Sequence, residues 1–205
     1  MAHVHWENNR TAFLFACGPV HTEQIDPVYP GLAGSRDRMV VAVNFNTDAD
    51  REYRDGLVVE RNAGTPGHSA LQKILIVHLA AFEKQLQIAV RPECRTRIDE
   101  TRYRVPDVLA MARPFQQTDR VVLDPPLLIV EILSPDDKMN DVLQRFREYE
   151  RFGVPHIVQM DPDDRTTRVF VNGDLILRDL SGFELPVRGH LPFDSRELLA
   201  RLDEE

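Results

Sequence analysis

The 205 residues carry 42% hydrophobic and 28% charged side chains, the balance of a folded domain rather than of a disordered chain or a membrane protein. The formal charge of -8 excludes nucleic-acid binding by overall field, so any phosphate contact has to come from a local basic patch. No run approaches the roughly 18 apolar residues of a membrane span, the first residues lack the basic start and apolar core of a secretory signal, and two cysteines, Cys17 and Cys94, make no disulfide framework; the expectation is a cytoplasmic protein.

Along the chain, residues 1–50 show weak periodicity. "DPVYPGLAG" reads as a loop, "MVVAVNF" as one strand, and the segment as an N-terminal extension ahead of a domain at 51–205. "REYRDGLVVERNAG" places Asp55-Gly56 between two strand-like halves, a hairpin signal. "TPGHSALQKILIVHLAAFEKQLQ" follows as a long helix with Leu71, Ile74, Leu75, His78 and Phe82 at helical spacing. "CRTRID" and "RYRVPDVLAMA" read as two strands. "LLIVEIL" is apolar over nearly its whole length, which predicts a central strand covered on both faces. "NDVLQRFREYERFG" predicts a helix with Asn140 as N-cap, Gly153 as its stop and a stripe of Leu143, Phe146 and Tyr149. "VPHIVQMD" returns as a strand, and "RTTRVFVNGDLILRDL" as a C-terminal hairpin around Asn172-Gly173. The order of elements predicts an α/β fold with a mixed central sheet flanked by helices.

Glu131 lies in the middle of the central apolar strand. A buried carboxylate is costly without a partner, so this position demands a cation, either a buried arginine or a metal shared with a second acid. Asp107, between Val105 and Val108, supplies that second acid on the preceding strand. Two embedded acids on adjacent strands suit a hard ion such as Mg²⁺ or Mn²⁺, the chemistry of metal-assisted phosphodiester hydrolysis. With no ion between them the two acids repel one another, so neutralising one is expected to raise stability in metal-free buffer.

This pattern resembles the PD-(D/E)xK nucleases, and "PPLLIVEILSP…D…R…YERFGVPHIVQMD" resembles the Uma family of restriction-endonuclease-like proteins. Asp55-Gly56, His68, Pro106-Asp107, Glu131, Ser134-Pro135, Asp141, Tyr149, Gly153-Val154 and Asp161 fall in the family's order, over roughly Arg51 to Arg201. The resemblance implies a restriction-endonuclease-like fold, with Asp107 and Glu131 as metal ligands, Glu52 as a third, and His68 facing the substrate. The parent motif has a lysine where this chain has Leu133, and the family's migrated lysine falls on Arg145. Arginine cannot shed its proton at working pH but clamps phosphates well; Lys138 is the nearest lysine. Read without the resemblance, Arg145 is an i,i+4 surface partner of Asp141, and His78 a satisfied core histidine.

The functional expectation is a divalent-metal-dependent nuclease acting on nucleic acid, DNA before RNA, through a basic patch of Arg91, Arg95, Arg97, Arg102 and Arg104. The alternative is a nuclease-fold binding or assembly module that has lost catalysis, and a homodimer is compatible with either.

Overall fold

The computed structural model describes residues 3–7, 11–15 and 51–205, apart from Gly56, residues 61–63 and Asp119. The chain divides into two compact units, Met1–Thr47 and Asp48–Glu205. In the first, β1 (His3–Glu7) and β2 (Thr11–Phe15) form an antiparallel hairpin, Val4 opposite Leu14. The loop and strand expected at "DPVYPGLAG" and "MVVAVNF" lie outside the described residues.

In the second unit β3 (Arg51–Arg54) and β4 (Leu57–Glu60) pair antiparallel with Arg54 opposite Leu57, which leaves a two-residue turn containing Asp55 at φ 47°. That left-handed angle is what a tight hairpin turn asks of its first residue, and Asp tolerates it. Next come α1 (Pro66–Ala80), the single turn α2 (Glu83–Leu86), β5 (Ile88–Pro92), β6 (Thr96–Arg97), β7 (Arg102–Arg104), β8 (Val108–Ala112), β9 (Leu128–Ile132) and α3 (Met139–Phe152). After it follow β10 (His156–Asp161), β11 (Thr166–Val171), β12 (Asp174–Leu177), β13 (Gly182–Leu185), β14 (Gly189–Pro192) and α4 (Ser195–Ala200).

The central sheet runs β12-β11-β10-β9-β8-β5. Its single parallel pair, β9 with β10, is the one that α3 connects, because parallel neighbours need a crossover long enough to hold a helix. Side chains alternate across β9. Leu128, Val130 and Ile132 join Leu71, Leu75 and Leu79 of α1 in one core, whereas Ile129 packs with Val142, Phe146 and Tyr149 of α3 in another. With a period of two, Glu131 must share the α3 face with Ile129.

Several elements differ from their sequence-based expectations. The long helix breaks after Ala80 into α1 and α2, and Val77 is exposed, so α1 buries one face. His78 is half-buried and satisfied, its Nε2 2.9 Å from the Pro192 carbonyl. The N-cap of α3 is Lys138, two residues before Asn140, and its stripe begins at Val142 rather than Leu143. The hairpin around Asn172-Gly173 belongs to the central sheet as β11–β12, and a second hairpin, β13–β14, follows it.

The largest difference concerns "RYRVPDVLAMA", expected as one strand. Pro106 lacks the N–H to continue a ladder, and the chain changes sheets there. β7 lies in a separate four-stranded sheet of order β4-β3-β7-β6, while β8 enters the central sheet. Asp107 therefore stands at the mouth of β8 rather than inside a strand.

Gly153 closes α3 at φ 101°, a left-handed conformation that only glycine adopts without strain. Gly153→Ala should lower stability by about 1 kcal/mol, read as a lower urea midpoint with unchanged slope.

Candidate active site

Helix α1 is capped by Thr65, whose hydroxyl accepts the His68 N–H at 3.2 Å, with Pro66 in the first helical position, an arrangement that satisfies an otherwise orphaned donor. This fixes the first turn and turns the His68 ring inward. Its Nε2 lies 3.4 Å from Asp107 Oδ2. Gly64 leaves the ring its room, since a Cβ there would lie 2.9 Å from His68 Nδ1. His68 thus lies in the first turn of α1.

Asp107 is held by three elements. Its Oδ2 accepts the Ile132 N–H of β9 at 2.7 Å, its carbonyl accepts the Gln72 side-chain amide of α1 at 3.0 Å, and the same carbonyl accepts the Glu93 N–H beyond β5 at 3.2 Å. In the β8–β9 ladder Val108 opposes Val130. One step further the chain reads Asp107 on one side and Glu131 on the other, so the two acids leave adjacent segments at neighbouring positions.

Glu131 is buried and engaged at both oxygens. The Tyr149 hydroxyl donates to Oε1 at 2.6 Å and Arg145 Nη1 donates to Oε2 at 3.2 Å. The other arm of the Arg145 guanidinium reaches Asp137 at 3.4 Å, so its partners are these two acids rather than Asp141. Burial works against the Arg145 charge, but Glu131 above all, with Tyr149, Glu52 and Asp137, holds its pKa above even the usual arginine value. Burial and the Glu131 charge push the Tyr149 phenol well above its ordinary range, so it remains a donor. Leu133, where the parent motif carries lysine, packs into the α3-side core. Lys138 is exposed at the mouth of α3, where its backbone carbonyl accepts the Asp141 and Val142 N–H groups.

Glu52 belongs to a second buried cluster. Its Oε2 accepts Arg104 Nη1 at 2.5 Å and Arg54 Nη2 at 3.1 Å, while Arg104 Nε donates to Glu148 of α3 at 2.7 Å. Arg104 is fully buried. Arg102 bridges Glu148, at 3.3 Å, and Asp55, at 2.7 Å. Of the five arginines of the expected basic patch, Arg104 is therefore interior and Arg102 is engaged by acids. Burial raises the Glu52 pKa, but Arg104, Arg145 and Arg54 outweigh it and leave it below the ordinary value. Among the described residues no group of three or more His, Cys, Asp or Glu side chains is arranged to hold a metal ion.

Of the residues the sequence points to, His68 lies against Asp107 and Arg145 against Glu131, two pairs at one end of the central sheet. Tyr149 stands in the sequence as part of an apolar stripe and as a position in the family's order, with no role attached, although its place four residues after Arg145 puts both on one helix face. Gln159, also buried, went unnoticed; it is the β10 partner of Glu131 in register and lies 3.5 Å from Arg168. No periodicity marks it, because a single glutamine in an apolar strand reveals its neighbour only when the register is known.

The ion pair reverses the stability expectation for Glu131. Glu131→Gln strands a buried guanidinium, so in chelator it should lower unfolding free energy by about 2 kcal/mol rather than raise it; thermal melting checks the sign. The depressed Glu52 pKa contributes stability that is present above its unfolded value of 4.5 and is lost as pH falls further, through the folded value. Glu52→Gln should therefore be less stable at neutral pH and lose less than wild type between about pH 5 and 3, as urea midpoints across that range would show.

The sequence and the fold are both similar to those of known proteins. Residues 37–190 match the Uma2 family, described as "Putative restriction endonuclease", and the match reaches into the segment treated above as an N-terminal extension. Among solved structures, one titled as a putative nuclease belonging to DUF820, from Anabaena variabilis, superposes with a TM-score of 0.62 at 22% identity, covering 74% of this chain and 90% of that one; it shares the fold. No curated protein matches the sequence. The matched region, three quarters of the sequence and all of the site, makes this chain a member of the Uma2 family.

Proposed function

We propose that the protein is a divalent-metal-dependent nuclease that hydrolyses phosphodiester bonds of DNA in the cytoplasm. The observation that supports this reading is the β8–β9 register, which sets Asp107 and Glu131 one step beyond Val108 and Val130 at the same end of the central sheet, with the Arg145 guanidinium 3.2 Å from Glu131. Two neighbouring carboxylates fit Mg²⁺ or Mn²⁺, ions that take one or two acids and keep several waters. Bound there, such an ion would polarise the phosphate and make a bound water a stronger nucleophile.

The chain's own groups have distinct tasks in this reading. Asp107 and Glu131 would hold the ion. Tyr149 keeps its proton and fixes the orientation of Glu131. Arg145, permanently charged, binds a phosphate oxygen and stabilises charge as it develops. His68, beside Asp107, contacts the substrate, and exposed Lys138 supplies a second cation at the edge of the site. Glu52, a third ligand by resemblance, has Arg104 and Arg54 as partners, which supports a role in holding the frame. Contacts to the DNA backbone fall to Arg95 and Arg97, since Arg91 is taken up by the Val90 carbonyl and Glu83.

One pair of observations favours a second reading. Both Glu131 oxygens already have protein donors, and a leucine packs where the parent motif has its lysine. These suit a nuclease-fold module that binds nucleic acid without cutting it.

Plasmid cleavage in Mg²⁺ or Mn²⁺, with a chelator control, separates the two. A nuclease should lose all activity in Asp107→Ala together with Mn²⁺ binding by calorimetry. Arg145→Ala should lower the rate by roughly 10²-fold or more, and Arg145→Lys should retain activity. Plasmid binding without cleavage in wild type and every variant would establish the second reading instead.

A further inference from the structure

The central sheet ends in two edge strands, which the chain treats differently. A bare edge is a row of unpaired N–H and C=O groups, a template for pairing with another chain, and proteins usually blunt it with prolines, charges or covering groups. At β5 the covering is thorough. The β5–β8 register turns the backbone groups of Ile88 and Val90 outward, and side chains meet them. Glu83 accepts the Val90 N–H at 2.6 Å, Arg91 donates to the Val90 carbonyl at 2.7 Å, Arg113 donates to the Ile88 carbonyl at 2.6 Å, and the strand closes on Pro92.

The opposite edge, β12, has no such covering among the described residues. Arg178 N–H donates to the Thr167 carbonyl at 3.0 Å. With Val169 opposite Ile176 and Phe170 opposite Leu175, the two-residue alternation of an antiparallel ladder then turns the backbone groups of Leu175 and Leu177 away from the sheet. No side chain of the described residues bonds to them. Ile176 and Leu177, on opposite faces of this outermost strand, are 50% and 66% exposed.

We infer that β12 pairs antiparallel with β12 of a second copy of this chain, about a two-fold axis through Ile176, joining two six-stranded sheets edge to edge. Backbone geometry permits the register and the sequence selects it. The outward groups of Leu175 can meet those of the partner's Leu177, and symmetry repeats the exchange on the other side of the axis. The sequence "DLILR" from Asp174 to Arg178 reads symmetrically around Ile176: in that register each leucine faces a leucine, and Asp174 faces the partner's Arg178. Opposite charges directly across a strand pair stabilise it and like charges weaken it, so the ends of the strand favour antiparallel self-pairing over a slipped alignment. A symmetric contact of this kind closes on itself as a dimer. The inference is independent of whether the protein cuts DNA.

Sedimentation equilibrium of the full-length chain tests it. Wild type should sediment at twice the chain mass at micromolar concentration. Leu177→Pro removes an outward N–H that the chain's own ladder does not use and should yield a folded monomer, with circular dichroism as the check on folding. Asp174→Arg and Arg178→Asp each place like charges across the axis twice, and each should raise the dissociation constant by about tenfold. The double variant, Asp174→Arg with Arg178→Asp, restores opposite charges and should recover dimerisation. A wild-type monomer at about 100 μM, well above the micromolar range of a specific contact, overturns the inference. So does a dimer indifferent to the single charge reversals, or a loss that the double variant fails to recover.

Discussion

A carboxylate in the middle of the central strand is the constraint around which this domain is organised. Glu131 points to the α3 face because strand side chains alternate, and once buried it needs charge and hydrogen bonds from whatever packs there. Helix α3 supplies both, Arg145 and Tyr149 reaching the two oxygens from one helix face. The same helix buries Val142 and Phe146 against the sheet, so packing and charge compensation fix a single position for it. The interaction that makes the buried acid tolerable is also the one that gives the site its cation.

The small four-stranded sheet is tied to this arrangement through polar contacts. Arg104 of β7, with no exposed surface, joins Glu52 of β3 to Glu148 of α3. A buried ion cluster of this kind contributes little net stability compared with apolar packing, but removing one member leaves an uncompensated charge. Its effect is geometric: the hairpin of β3 and β4 cannot shift without disturbing the helix that carries Arg145 and Tyr149.

How much of this was legible in the sequence depended on the range of the signal. The Asp55 and Asn172-Gly173 turns, the apolar run of β9 and the glycine stop of α3 are local, and each leaves a mark within a few residues. The two acids and Arg145 were visible because charged residues in apolar surroundings demand explanation. The role of Tyr149 and the Glu52–Arg104–Glu148 cluster were hidden, since they depend on pairings across 18 to 52 positions of chain. The sheet change at Pro106 was misread for a related reason. Apolar residues stand on both sides of the joint, at Val105 and Val108, and their presence cannot report that the flanking strands belong to different sheets.

That change of sheet carries a consequence for how the sequence can vary. Only Val105, Pro106 and Asp107 separate the last residue of β7 from the first of β8, and both flanking strands are locked into ladders by Arg104 on one side and Val108 on the other. A hairpin tip such as Asn172-Gly173 can take up an inserted residue by looping outward. The three-residue link has no such slack. One residue more or fewer would rotate either the buried arginine or the aspartate away from its partners, so length is fixed here more strictly than side-chain identity. Among related chains, insertions should gather at the turns and stop short of this joint.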